Sequence, residues 1–314
     1  MSPPKKMALL VGCTYSDSED PGFELYGCHN DVLGMRELLI ARFGFKLKHV
    51  ELLMDRPGSS VMPTGANIKS ALNKMVDQAK KGDVLFFHFS GHGTLIKPPY
   101  APKTEEVIVP CDNNIITSED FRQLVNRVPK GATFTILSDS CNSGGLIDKE
   151  TEQIGPCATP DDAISKLRPT RMIPFESILQ YFTTLTGKTS TDIGTHLVEV
   201  FGDDASIMFR PHDPINKTLE ADEGILLSGC QKNEYSCELT EKDVSKPCGA
   251  FTYAVQMVFK ENPAGRNLSN REVVIKARNI MKLMPDDIEN EQHPCLYCSD
   301  QNADAPFLGV INDA

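Results

Sequence analysis

Hydrophobic and polar positions follow two patterns in the first half of the chain. Mainly apolar runs at 7–13, 50–54, 83–89 and 132–137 are typical of strands that are buried on both faces. Between these runs, apolar residues recur every three or four positions, as they do in helices with one buried side. Strands and helices that alternate in this way predict an α/β fold, with a mainly parallel central sheet flanked by helices on both faces.

Further elements continue this alternation. Apolar side chains within 66–80 lie on one helical stripe, and those after Asp31 do the same, so Asp31 is in position to cap a helix. Thr117 followed by Asp120 matches a capping box at the start of another helix. The apolar run at 106–110 predicts a fourth strand just before that helix.

The pattern changes in the second half of the chain. From 149 to 174 the periodicity fades, and proline, glycine, threonine and charged residues indicate a linker. A helical stretch at 175–185 and a polar region follow. The apolar run at 224–230 then predicts another buried strand, and helices are predicted at 250–260 and 271–283.

Composition and charge argue against several classes of function. The chain has 43 acidic and 32 basic residues, a formal net charge of −11, and 40% hydrophobic residues. Such a surface repels nucleic-acid phosphates, so we expect no nucleic-acid partner. No run approaches the roughly 20 apolar residues that cross a bilayer, and the run at 7–13 is too short for a secretory signal. We therefore expect a cytoplasmic protein without a membrane partner, in which the ten cysteines are reduced.

Chemically useful side chains follow the predicted strands. Asp31 lies after the first strand, His92 after the third, and Asp139 and Cys141 after the run at 132–137. Because ligands bind beyond the carboxyl ends of strands in an open α/β sheet, we expect these four side chains to face one crevice. A neighbouring imidazole would activate the thiol of Cys141 and later protonate a leaving amine.

Each of these residues has a structural alternative. Taken singly, Cys141 would be a buried thiol, His92 a hydrogen-bonded loop histidine and Asp31 a helix cap. Both Cys141 and His92 follow predicted strands within turns rich in glycine and serine, which favours a nucleophile and its base. Backbone N–H groups of Gly93 and Cys141 would then form an oxyanion hole.

Several separated blocks carry a more specific resemblance. They are YGCHNDV, FFHFSGHGT, EEVIVPCD, LSDSCNSGGLID, GILLSGCQ and HPCLYCSDQNADA. His-Gly after an apolar strand, with a later Asp-x-Cys-x-Ser-Gly-Gly, resembles the caspase-like cysteine peptidases, and the full strings resemble plant-type (type II) metacaspases. The resemblance implies a caspase-like fold with a large catalytic region at 1–148, a linker region at 149–223 and a small region at 224–314 on the same sheet.

The resemblance also implies roles for single residues. His92 and Cys141 match the catalytic dyad of the family, and Asp31 and Asp139 match the acids of its S1 pocket. The implied activity is an endopeptidase that cuts peptides and proteins after arginine or lysine through an acyl-enzyme. Two buried carboxylates agree with such a preference, because they need a cation to compensate them. The role of Asp31 as a helix cap is compatible with this one.

The linker contains the segment TRMIPF, which resembles the self-processing region of the family. The resemblance implies that the chain is made as a zymogen and cuts itself after Arg171. Arg168 lies nearby, and it is equally well explained as a basic residue of a flexible loop. Programmed cell death is an association of the family rather than a property that these residues indicate.

Members of this family are commonly activated by calcium, while some relatives work without it at acidic pH. The matching carboxylates are Glu105, Glu106, Glu119, Asp120 and Asp148. Hard oxygen ligands suit calcium, but the chain lacks EF-hand spacing, and surface carboxylates are usually only solvated. We expect calcium as the activator and no organic cofactor, since the glycine-rich turns lack the ending of a phosphate loop.

One residue departs from the family pattern, and the sequence is compatible with two alternative functions. The family usually has histidine after the nucleophile, whereas this chain has Asn142, so a catalytically silent scaffold that binds partners through the same cleft is an alternative. A second rival is a redox protein that uses Cys295 and Cys298, although we expect this pair to be structural. We expect the chain to act as a monomer.

Overall fold

The computed structural model describes most of the chain. The described residues are 3–18, 21–98, 104–147, 151–155, 170–210, 224–231, 234–240, 242, 244–262, 267–284 and 292–309. Among the predicted site residues, Asp148 and Arg168 lie outside these ranges. Within the described ranges, no helix has the length and apolar character that crossing a membrane requires.

Twelve strands are found among the described residues. They are β1 (Lys6–Gly12), β2 (Val50–Met54), β3 (Val84–Ser90), β4 (His92–Ile96), β5 (Glu105–Val109), β6 (Ile116–Thr117), β7 (Thr133–Asp139), β8 (Glu152–Ile154), β9 (Ile225–Ser228), β10 (Glu238–Leu239), β11 (Cys248–Gly249) and β12 (Cys295–Tyr297). The helices are α1 (Cys28–Phe43), α2 (Gly65–Gln78), α3 (Ser118–Val125), α4 (Phe175–Thr186), α5 (Ile193–Phe201), α6 (Ala250–Glu261), α7 (Asn270–Met281) and α8 (Asp300–Asp304).

Seven strands form the central sheet in the order β2-β1-β3-β7-β9-β12-β8. The first five run parallel, while β12 is antiparallel to β9 and β8 is antiparallel to β12. The predicted mainly parallel sheet is thereby confirmed. The strand order changes direction at β1, because β2 lies on one side of it and β3 and β7 lie on the other. The loops after β1, β3 and β7 therefore open into one crevice.

Side chains of the central strands feed two separate cores. On β1, Ala8 and Leu10 pack with α1, α6 and α7, whereas Leu9 and Val11 pack with α2 and α3. This alternation explains why the strand is apolar at every position from Met7 to Val11, since it is covered on both faces. The helices therefore lie on both faces of the sheet, as predicted.

A second sheet corrects one part of the prediction. The run at 106–110 belongs to β5, which pairs antiparallel with β4 and β6 outside the central sheet. Val107 and Val109 face a third core that includes Ile178, Phe182 and further residues of α4 and α5. The region predicted as a linker thus contains two packed helices and the edge strand β8, while the boundaries of the three predicted regions stay a prediction.

The start of α1 corrects a second point. The helix begins at Cys28 with Gly27 as its N-cap, and Asp31 lies within the first turn. The prediction that Asp31 caps this helix is therefore wrong, because the Asp31 carboxylate points to groups outside the helix. It accepts hydrogen bonds from the Gly249 N–H at 2.9 Å and from the Ser90 hydroxyl at 2.7 Å.

The two-sided core gives a stability prediction. Leu10 is fully buried in β1, so Leu10→Ala should lower the free energy of unfolding by about 2–5 kcal/mol through lost contacts and a cavity. Leu47→Ala is the matched control, because Leu47 is 64% exposed and its loss should cost less than about 0.5 kcal/mol. Urea unfolding curves of both variants measure the difference. Equal midpoints would contradict the assignment of Leu10 to the core.

Candidate active site

His92 stands at the start of β4, directly after the turn that ends β3. Its Nε2 lies 2.7 Å from the Phe23 carbonyl oxygen. Because a carbonyl oxygen only accepts, Nε2 carries the hydrogen and Nδ1 has the lone pair. Nδ1 is buried and makes no hydrogen bond to the described part of the chain. His92 therefore presents a proton acceptor inside the crevice.

Cys141 follows β7 at the same edge of the sheet. Its Sγ accepts a hydrogen bond from the Ser236 N–H at 3.0 Å and lies 3.6 Å from the Ser236 carbonyl oxygen. Burial raises the pKa of the Cys141 thiol well above its usual value. Burial also lowers the pKa of His92 to about 4, although the Phe23 and Arg171 backbones oppose this effect. Both side chains are therefore neutral in this state.

One carbonyl group brings the two loops together. The Arg171 carbonyl oxygen accepts hydrogen bonds from the Gly93 N–H at 3.0 Å and from the Cys141 N–H at 3.4 Å. These are the two donors predicted for an oxyanion hole. A Cβ at position 93 would lie 2.0 Å from the Cys141 carbonyl oxygen, so only glycine allows this approach.

The backbone around Arg171 pairs with both walls of the crevice. The Arg171 N–H donates to the Ser236 carbonyl at 2.9 Å, and Thr170 forms an antiparallel bridge with Cys237. On the other side of the Arg171 carbonyl, Met172 forms a parallel bridge with Gly93. The segment around Arg171 thus lies extended in the crevice, with its backbone bonded on either side of the Arg171–Met172 bond.

The Arg171 side chain fills a fully buried acidic pocket. Its Nη2 lies 2.7 Å from Asp31 Oδ2 and 3.4 Å from Glu238 Oε1. Its Nη1 donates to the Asp139 carbonyl and to the Ser90 hydroxyl, each at 2.9 Å, and lies 3.6 Å from Asp139 Oδ2. The predicted pocket acids Asp31 and Asp139 therefore lie together, around a guanidinium that belongs to the chain itself.

Sequence reasoning missed two residues of this pocket. Ser90 ends β3, so the rule that placed His92 at a strand end also applied to it. Glu238 gave no such signal, because it lies in a two-residue strand within a polar stretch. Its carboxylate is held by the Tyr26 N–H at 2.9 Å and the Gly27 N–H at 2.7 Å.

The charges that the described residues contribute to the pocket do not balance. Three carboxylates, from Asp31, Asp139 and Glu238, surround the single guanidinium of Arg171. Burial raises the pKa of Asp31 to about 6, with Asp139 adding to the rise and Arg171 opposing it. The pocket therefore attracts a cation strongly and repels an acidic side chain.

Two predicted calcium ligands already bond protein groups. Glu105 Oε2 accepts a hydrogen bond from the Ser118 hydroxyl at 3.0 Å. Glu106 is buried, and its Oε2 accepts from the Gly145 N–H, close to the loop that carries Cys141. The Glu106 carboxylate thus connects β5 to the nucleophile loop.

The remaining predicted ligands are similarly engaged. Glu119 pairs with Arg122 at 2.7 Å, and Asp120 Oδ2 accepts from the N–H and hydroxyl of Thr117 in the predicted capping box. Among the described residues, no three histidine, cysteine, aspartate or glutamate side chains form a metal-binding group. The four described carboxylates therefore already have partners within the protein, and calcium binding would require them to rearrange.

Three further cysteines are buried, as is Asn142 beside the nucleophile. The thiol of Cys295 donates to the His293 carbonyl at 3.2 Å, and Cys298 directly follows β12. Cys28 is buried as well, and burial raises the pKa of its thiol well above the usual value. Asn142 has a φ of 51°, a left-handed conformation that asparagine tolerates better than most residues.

Comparisons with known proteins agree with this architecture. The family model described as Caspase domain matches residues 5–306. Metacaspase-9 of Arabidopsis thaliana is 48% identical, with 97% of each chain covered, and Metacaspase-6 of the same plant is 33% identical, with 96% of this chain and 99% of the relative covered.

A solved structure adds support for the fold alone. A protein of Geobacter sulfurreducens superposes with a TM-score of 0.61 at 21% identity, covering 98% of this chain and 100% of that protein. Family model, relatives and fold agree over nearly the whole chain. The chain therefore belongs to the metacaspases, a family of caspase-like cysteine peptidases that act on peptides and proteins.

Proposed function

We propose that this chain is an endopeptidase specific for arginine and lysine, made as a zymogen that cuts itself after Arg171. One observation carries the proposal. The Arg171 carbonyl accepts the N–H groups of Gly93 and Cys141 while its guanidinium fills the acidic pocket. The chain thus holds one of its own arginines as a substrate would be held.

The geometry supports a sequence of steps. Cys141 Sγ attacks the Arg171 carbonyl carbon, and His92 Nδ1 takes the thiol proton. Negative charge develops on the oxygen between the N–H groups of Gly93 and Cys141, and such a donor is typically worth about 3 kcal/mol. The imidazolium then gives its proton to the nitrogen of Met172, which leaves as an amine. Water finally hydrolyses the thioester on Cys141 and returns the thiol.

The same contacts support a latent resting state. His92 and Cys141 are 1% and 0% exposed, so a protein substrate has no access to them while Arg171 occupies the pocket. Both are uncharged here, because burial disfavours the imidazolium and the thiolate. Cleavage removes the bond between Arg171 and Met172, and departure of Arg171 then opens the pocket for substrates.

The pocket also supports a ranking of substrates. A guanidinium meets acceptors from both of its terminal nitrogens, whereas a lysine ammonium offers one nitrogen with three donors. Arginine should therefore be preferred to lysine. An aspartate would place a fourth carboxylate among Asp31, Asp139 and Glu238, so aspartyl bonds should resist cleavage.

Self-cleavage gives the first test of this proposal. Arg171→Ala should abolish the new amino terminus at Met172, because alanine makes no contact in the acidic pocket. Arg171→Lys should retain it at a lower rate. Sequencing of the fragments by mass spectrometry checks both outcomes, with Cys141→Ala as the inactive control and Arg168→Ala as the matched arginine control. A cut after position 171 in the alanine variant would refute the assignment.

Substrate preference and pH give the second test. Arginyl peptides should be cut faster than lysyl peptides, and aspartyl peptides not measurably. A bound guanidinium lowers the pKa of Asp31, so binding releases a proton and must weaken as the pH falls toward about 6. The effect should be about tenfold for each pH unit between the pKa values of the two states.

Benzamidine measures this binding without involving the dyad. Its affinity for the Arg171→Ala chain, measured by calorimetry across the pH range, should decline on acidification. Adding Asp31→Asn should weaken binding near neutral pH and remove most of the pH dependence. Asp77→Asn is the matched control, because that carboxylate is 63% exposed and lies outside the pocket. An unchanged profile in the Asp31→Asn chain would contradict the role of Asp31.

Calcium activation is a separate part of the proposal. Because the described carboxylates already bond protein groups, calcium would need them to rearrange. Glu106 is the candidate whose bond reaches the nucleophile loop. Calcium should therefore speed the appearance of fragments, and Glu106→Gln should reduce that acceleration. Equal rates with calcium and with a chelator would refute this part alone, leaving the role of Arg171 intact.

A further inference from the structure

We propose that Tyr15 is a positioning residue for His92, and that Asp55 holds Tyr15 in place. This inference rests on the proposed role of His92 as the proton carrier. Tyr15 lies in the loop after β1, far from the nucleophile in sequence, and it is 7% exposed. None of the motifs that indicated the active site includes it.

The Tyr15 hydroxyl bridges two backbone groups at the end of the small sheet. It accepts a hydrogen bond from the His92 N–H at 2.8 Å and lies 2.5 Å from the Val109 carbonyl oxygen, to which it donates. His92 and Val109 are opposite residues of the β4–β5 ladder. The phenol hydroxyl thus completes this ladder at the residue that carries the imidazole, and it fixes the backbone from which that ring projects.

The ring of Tyr15 constrains the imidazole as well. The two ring centroids are 4.5 Å apart, with a tilt of 33° between the planes. Phe23 meets the imidazole from another direction, with its ring edge-on and its carbonyl oxygen on Nε2. A Cβ at Gly91 would lie 2.8 Å from the Tyr15 hydroxyl oxygen, so the turn before His92 has room for the phenol only with glycine there.

Tyr15 is itself held in an uncommon conformation. Its φ of 57° is in the left-handed region, which residues with a Cβ rarely adopt unless the surroundings impose it. The buried carboxylate of Asp55 accepts the N–H of Thr14 at 2.8 Å and that of Tyr15 at 2.7 Å. His29 Nε2 lies 2.7 Å from the same carboxylate. Asp55 therefore fixes the turn that aims the phenol at His92.

These contacts make the alignment of His92 depend on Tyr15, a residue that makes no described hydrogen bond to Arg171 or to Cys141. Removing the hydroxyl leaves the His92 N–H and the Val109 carbonyl without their buried partner, while the ring contact remains. The loss should appear in proton transfer rather than in the acidic pocket, because the pocket is built from other residues. This difference separates a positioning role from a general structural one.

Tyr15→Phe is the test, because it keeps the ring and removes only the hydroxyl. In processed enzyme, kcat for an arginyl peptide should fall about 10- to 100-fold, as expected when a catalytic group is misaligned. Alkylation of Cys141 by iodoacetamide near neutral pH, followed by peptide mapping, should slow in parallel. Benzamidine affinity should stay unchanged. Tyr253→Phe, a half-buried tyrosine of α6, is the matched control.

A second variant covers the case in which Tyr15→Phe folds poorly. Asp55→Asn keeps the shape of the side chain and weakens its hold on the turn, so it should reduce kcat and alkylation in the same proportion. Full kcat in a folded variant of either kind would overturn the inference while leaving the proposed function standing. A parallel loss of benzamidine affinity and of kcat would also overturn the inference, because that result would indicate a general loss of structural order rather than misalignment of His92. A wild-type chain without peptidase activity would remove the proposed function itself.

Discussion

The buried ion cluster around Arg171 is the interaction on which the rest of the structure depends. A fully buried guanidinium and three carboxylates are costly to remove from water, and they persist only when they pair with one another. Asp31 belongs to α1, Asp139 ends β7, and Glu238 belongs to β10. The Arg171 side chain therefore joins the elements that build the crevice, and the backbone carbonyl of the same residue lies between the two amide donors. The proposed latency of the zymogen depends on these same contacts.

The crevice itself results from strand order. Loops after β1, β3 and β7 meet because these strands are parallel neighbours, and this brings Asp31, His92 and Cys141 together from distant positions. The small antiparallel sheet adds what parallel strands alone do not supply, a rigid backbone under His92. Tyr15 connects the two sheets at this point through its hydroxyl. The geometry of the proposed catalytic residues is thus set by the junction of two sheets.

Much of this arrangement was predictable from the sequence, for identifiable reasons. His92, Asp139 and Cys141 follow long apolar runs, so their placement at strand ends was evident, and Asp31 was expected in the connection after β1, where it lies in the first turn of α1. Glu238 was not, because its position depends on short-range pairing of β10 and on two amides of a distant loop. The strand at 106–110 was predicted, but its membership of a second sheet was not, since a strand covered on both faces has the same apolar pattern in either sheet. The prediction that Asp31 caps α1 was wrong, because the N-cap of this helix is Gly27, about one turn earlier.

The order of strands has a consequence for the matured enzyme. A cut after Arg171 would leave β7 and β8 in the first piece and β9 and β12 in the second, yet the sheet has the order β7-β9-β12-β8. The second piece thus contributes two strands that lie between strands of the first. Neither piece has a complete sheet of its own, so the two would persist as an interleaved two-chain molecule whose halves share one folding unit.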